Sequence, residues 1–145
     1  MKKNRFLHSF FVLLITLLII SCGAGLHYSK SSDTANSQII TEAQTLLSKS
    51  SEPYNSHAAE VDSLKAHIDR VVADEARRGK NDATKAMWTA VQKDKQNLYD
   101  FFNLWKQQGT ISQAAVTEIG NKMMAVLNVI QTWEQRKKDG PLFNH

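Results

Sequence analysis

Apolar residues in the last third of the chain recur at alternating three- and four-residue steps: Val116, Ile119, Met123, Val126, Ile130 and Trp133. That spacing puts them on one face of a helix, predicted over 112–138. Met124 and Leu127 widen the face beyond a narrow coiled-coil stripe, and Asp139-Gly140-Pro141 stops it. Ahead of it, Met87, Trp88, Val91, Leu98, Phe101, Phe102 and Trp105 predict a helix over 82–108 that ends at Gly109. Thr110 with Gln113 is the capping box expected to start the last helix. Val61, Leu64, Ile68, Val71 and Val72 predict a helix over 57–78, with Gly79 as its C-terminal cap and Asn81 or Asp82 as the next N-cap. Ile39, Ile40, Ala43, Leu46 and Leu47 predict a shorter segment over 36–49, interrupted by Ser48 to Ser56 with Pro53.

The pattern is all-α. No strand alternation or solenoid-length repeat is present, and the last helix keeps its heptad too briefly for a long rod. The two longest helices span about 40 Å each at about 1.5 Å per residue, and the short Gly109 turn makes them an antiparallel hairpin. Burying each large apolar side chain stabilises by roughly 1.5–3 kcal/mol, so these faces must pack together. The expected fold is a small antiparallel up-down helical bundle on an N-terminal tether. It has four helices, or three if Pro53 only kinks the first; four is preferred.

The first residues have a separate composition. Met1-Lys2-Lys3-Asn4-Arg5 is a basic head, Phe10 to Ile20 is apolar except for Thr16, and Ser21 to Gly25 supplies small residues. That order is the layout of a secretory signal peptide. The strong apolar run spans only about 22 Å as a helix, short for an uncleaved membrane anchor. Ile19-Ile20-Ser21-Cys22 resembles the lipobox of bacterial lipoproteins, with an aliphatic residue at −3, a small one at −1, then cysteine. The resemblance covers about the first 25 residues and implies cleavage before Cys22 with acylation of its thiol and new amino terminus. Gly23, rather than Asp, at +2 implies transfer to the outer membrane, facing the periplasm, under enteric-type sorting. The chain is thus divided into a leader (1–21), an acylated Cys22 with a tether (22–36), a bundle (37–138) and a tail (139–145). For the tether, random-coil scaling gives a mean reach of roughly 20 Å.

Charge and chemistry narrow the function. Cys22 is the single cysteine, so lipidation leaves the domain without disulfide or thiolate-metal chemistry. Three of the 18 basic residues leave with the leader while all 14 acidic ones stay, giving a mature net charge of +1. A nearly neutral domain is a poor nucleic-acid binder. His57, Glu60 and His67 flank one helix without ExxH or HExxH spacing, so no metal site is expected. GxSxG, SxxK and a Gly-rich phosphate loop are missing from the sequence. The reading is therefore non-catalytic, with no cofactor besides the lipid on Cys22.

Three further features bear on the function. Arg77, Arg78 and Lys80, with Arg136, Lys137 and Lys138, complement helix C-termini and, in an antiparallel bundle, share one end as candidate contacts to anionic headgroups. Trp88, Phe101, Trp105 and Met123 are either core or a groove for a small apolar ligand. Gln92 to Asn97 is a polar break in its helix, where Asp94 or Lys95 replaces an apolar residue, either snorkelling to water or fixing register. Leu142-Phe143 is expected to fold over one end of the bundle. These lead to an envelope lipoprotein that docks a protein partner or braces the envelope. The alternatives are a carrier or sensor of an apolar ligand, or an immunity or inhibitor lipoprotein.

Overall fold

A computed structural model describes residues 27–79, 81–93 and 97–138. Among these residues five α-helices follow in order: α1 (Lys30–Lys49), α2 (Ala58–Arg77), α3 (Asp82–Lys93), α4 (Leu98–Gln108) and α5 (Gln113–Lys138), with a 3₁₀ turn at Tyr54–Ser56. They form an antiparallel up-down bundle of four columns, the third built from α3 followed by α4. Column one packs on α2 and α5, and α3 packs on the same two, so α1 and α3 stand diagonally. No described helix is long and apolar enough to cross a membrane.

Three boundaries differ from the sequence expectation. The serine-rich stretch assigned to the tether is helical from Lys30, because Ser29 caps it by accepting from the Ser32 amide. Its hydroxyls do not solvate a loose strand. Ser37, Thr41 and Thr45 donate back to carbonyls four residues earlier, and Ser32 and Asn36 point inward. The predicted single helix over 82–108 is two helices: Asn97, extended at φ −79° and ψ 177°, accepts from the Asp100 amide and starts α4. The polar break is thus a helix boundary; Asp94 and Lys95 lie outside the described residues. Ser112, not Thr110, caps α5, its Oγ accepting from the Ala115 amide.

Pro53 does not kink a continuous helix. The chain reverses between α1 and α2, and the 3₁₀ turn locks this loop to the α4–α5 turn. Tyr54 donates its amide to the Gly109 carbonyl, and Ile111 donates to that of Ser50. Gly109 makes that turn at φ 79°, a conformation that favours glycine. Trp105 fills this far end, edge-on to Tyr54 and stacked on His57, with its indole N–H donated to the Glu52 carbonyl.

The last helix is rotated relative to the predicted seam. It buries Val116, Gly120, Met123, Leu127, Ile130, Glu134 and Lys137. Ile119 and Trp133 are only partly buried, and Val126 is 45% exposed. A glycine and an ion pair lie inward where Ile119, Val126 and Trp133 were expected.

Candidate functional site

The end of the bundle where the described chain enters, at His27, joins the start of α1, the end of α2, the start of α3 and the end of α5. Four charged side chains meet there, two acids and two bases, with Glu75 and Glu134 at most 1% exposed. Burying such groups is costly unless each is paired and hydrogen-bonded. Here each is. Glu75 on α2 accepts from Ser32 on α1, from Arg78 at 2.8 Å and from the Asn81 side-chain amide. Asn81 stands at the N-cap position of α3, yet its side chain joins this cluster; its Oδ1 accepts from Lys137 at 2.7 Å.

Lys137 uses all three of its protons. The other two go to Thr84 at 2.8 Å and to Glu134 at 2.6 Å. The Trp133 indole donates to the same Thr84 hydroxyl. Glu134 then ties the cluster to the chain entry by accepting from the Ser29 amide at 2.9 Å, and Arg78 holds the His27 carbonyl at 2.9 Å. Every column is therefore laced to its neighbour through buried charge. One layer below, both atoms of the buried Asn36 amide, and the Trp88 indole N–H, have no partner among the described residues.

This arrangement reassigns the basic clusters. The ends of α2 and α5 do share the entry end, as an antiparallel bundle requires. Lys137, however, is buried in the cluster and is not a surface contact, and Arg78 is engaged by Glu75, Ser32 and His27. Arg77 is exposed but paired with Asp74. Lys138 lies over the Tyr28 ring, and Arg136 is exposed without an ionic partner among the described residues. Lys80 lies outside the described residues, as do Cys22 and the Leu142-Phe143 pair.

The proposed apolar groove is also displaced. Trp88, Phe101, Trp105 and Met123 are core residues, at most 7% exposed, and none lines either of two surface grooves. One groove, about 290 Å³, runs between α3 and α5 beside Met87, Val129 and Trp133. The other, about 320 Å³, lies between α1 and α2 at the entry end beside Ser32, Val71 and Arg77. Sequence reasoning missed Glu75, Glu134, Thr84 and Ser32. The one signal lay beside them: Lys137, four residues after Trp133, continues the heptad of α5 at a position where an apolar residue was due.

The histidines divide between carboxylates on different elements. His57 contacts Glu52 at 2.8 Å and Glu60 at 3.5 Å, and His67 contacts Glu42 at 3.2 Å. Among the described residues no group of three or more His, Cys, Asp or Glu is placed to hold a metal ion. Lys49, beside Glu60, holds that carboxyl below its ordinary range. No protein-family model matches the chain, and no match was found among curated proteins or solved structures.

Proposed function

We propose that this chain is an exported lipoprotein, acylated at Cys22, whose bundle is a non-catalytic docking or bracing module at an envelope membrane, facing the periplasm. The leader and lipobox support the anchor. The observation that carries a bracing role is the wiring of the chain entry. A pull on the lipid reaches His27 and Ser29, and these are hydrogen-bonded to Arg78 and Glu134 on α2 and α5. Load arriving there is shared among columns instead of peeling α1 away.

The connection is also short. Six residues separate Cys22 from the Ser29 cap, seven chain steps that span at most about 25 Å fully extended, so the entry end stays close to the bilayer. The test is mass spectrometry of the native amino terminus together with crosslinked co-purification from envelopes. A diacylglyceryl Cys22 terminus, and an envelope protein captured with the wild type but lost in Cys22→Ala, is the expected result. A product that keeps residues 1–21 or bears no lipid overturns the anchor.

A further inference from the structure

The groove between α3 and α5 opens on the apolar stripe that the rotation of α5 leaves outside. Val126 and Val129 are 45% and 59% exposed, the two large hydrophobic side chains most open to water among the described residues. Met87, Ala125 and the half-buried Trp133 continue the same surface, and Arg136 stands at its upper edge without an ionic partner among the described residues. We infer that this α3–α5 face lies on the lipid bilayer to which Cys22 is anchored, with Val126 and Val129 dipping into the interface and Arg136 at headgroup level. The inference rests on the anchored-lipoprotein reading.

Three observations select a bilayer over a protein partner. The first is reach. Glu134 is level with the chain entry, because it accepts from the Ser29 amide, and Val126 lies eight residues further down α5, about 12 Å along its axis. That is within the at most about 18 Å of chain between Cys22 and His27, whose carbonyl Arg78 holds to the bundle.

The second is chemistry. Exposed aliphatic residues beside a tryptophan and a basic residue on one helix flank are the composition of an interfacial surface. The end-on alternative is poorer, because Lys137, Arg78 and Arg77 are already paired within the bundle.

The third is size. A stable protein interface takes about 800 Å² from each partner, far more than two partly exposed valine side chains supply. A domain already held by a covalent lipid needs only a small second contact, since tethering raises its effective concentration at the surface to the order of millimolar.

The experiment uses full-length lipidated protein on vesicles of phosphatidylglycerol and phosphatidylcholine, with and without bromine on the upper acyl carbons. Trp88 and Trp105 are 1% and 0% exposed, and a Trp133→Phe blank isolates the signal of Trp133. Residues of such a face sit about 5–10 Å into the interface, so Trp133 emission should fall about twofold on brominated vesicles. Val129→Asp, an exposed position that leaves the core intact, should abolish the quenching while the protein still floats with the vesicles. Gln135→Asp adds the same charge elsewhere on α5 and should keep it.

Equal quenching in Val129→Asp and wild type overturns the inference, as does unquenched Trp133 in floating wild type. Shielding of Trp133 from acrylamide that grows with protein concentration, or on adding a co-purified envelope protein, without lipid quenching, assigns the face to a second copy or a protein and overturns it too. If mass analysis finds no lipid, the anchor reading fails separately. The chain attached by an N-terminal histidine tag to nickel-chelating lipid then decides the face by the same quenching.

Discussion

Lys137 Nζ lies 2.6 Å from Glu134 Oε2, one turn back on the same helix, and both side chains are almost wholly shut off from water. Removing either partner leaves the other buried without its nearest counter-charge, a loss of about 3–5 kcal/mol. Lys137→Met and Glu134→Gln should each shift the urea midpoint of the domain strongly. Glu134→Gln combined with Lys137→Met should cost much less than the two single effects added. Simple additivity in that double-mutant cycle would refute a coupled buried pair.

Gly120 faces Leu47 across the α1–α5 contact. A Cβ placed there meets Leu47 Cδ1 at 3.6 Å, an ordinary van der Waals distance, and the backbone is plainly helical. Gly120→Ala should therefore stabilise the domain by roughly 0.5–1 kcal/mol through helix propensity. A fall in melting temperature would show that the helices are closer here than the geometry indicates.

Asn97 opens α4 by accepting from the Asp100 amide at 2.7 Å. Asn97→Ala should cost about 0.5–2 kcal/mol, while Asn97→Asp keeps most of the cap. Denaturation curves of the two variants that coincide would count against the cap.

The single hydroxyl proton of Tyr99 is shared between two acceptors, the Lys65 carbonyl at 3.0 Å and Asp69 Oδ1 at 2.9 Å. Burial first, then the Asp69 carboxylate, push its phenol well above the ordinary value of 10.0. A folded-state value above the unfolded one means that the folded protein holds the proton longer. The stabilisation is therefore complete below the ordinary tyrosine range and is lost as pH rises through it toward the folded value. Unfolding free energy measured from neutral to strongly alkaline pH should decline above that range, and less steeply in Tyr99→Phe. Tyr28, raised by its hydrogen bond to Asp33, and Tyr54, raised by burial, leave a residual slope. Identical slopes for wild type and Tyr99→Phe would remove Tyr99 from the account.

The all-α fold was legible because apolar residues three and four apart must share a helix face, and Gly109 and Pro53 punctuate those faces. The polar cluster was hidden in plain composition. Ser32 and Asn36 read as linker residues, and Glu75 and Glu134 as two of many carboxylates, since nothing local shows that their partners arrive from other columns. The Asn97 cap was half visible: the polar break was seen, but polar residues inside a helix and a helix boundary leave the same mark.

By itself the sequence determined the all-α class, the approximate course of the helical columns and their up-down order, because these follow from spacing and turn chemistry within a few residues. Only the tertiary structure decided which stripe of α5 turns inward. Two seams share Val116, Met123 and Ile130 and differ in the alternate positions, Ile119, Val126 and Trp133 against Gly120, Leu127 and Glu134, which turns the buried face by about 50°. Hydrophobicity alone favours the first. The second is the one buried, because Leu47 fits against Gly120 and because Ser29, Asn81, Thr84 and Lys137 give Glu134 and its neighbours a complete set of hydrogen bonds. Those partners are far apart along the chain, so their fit exists only once the columns have come together.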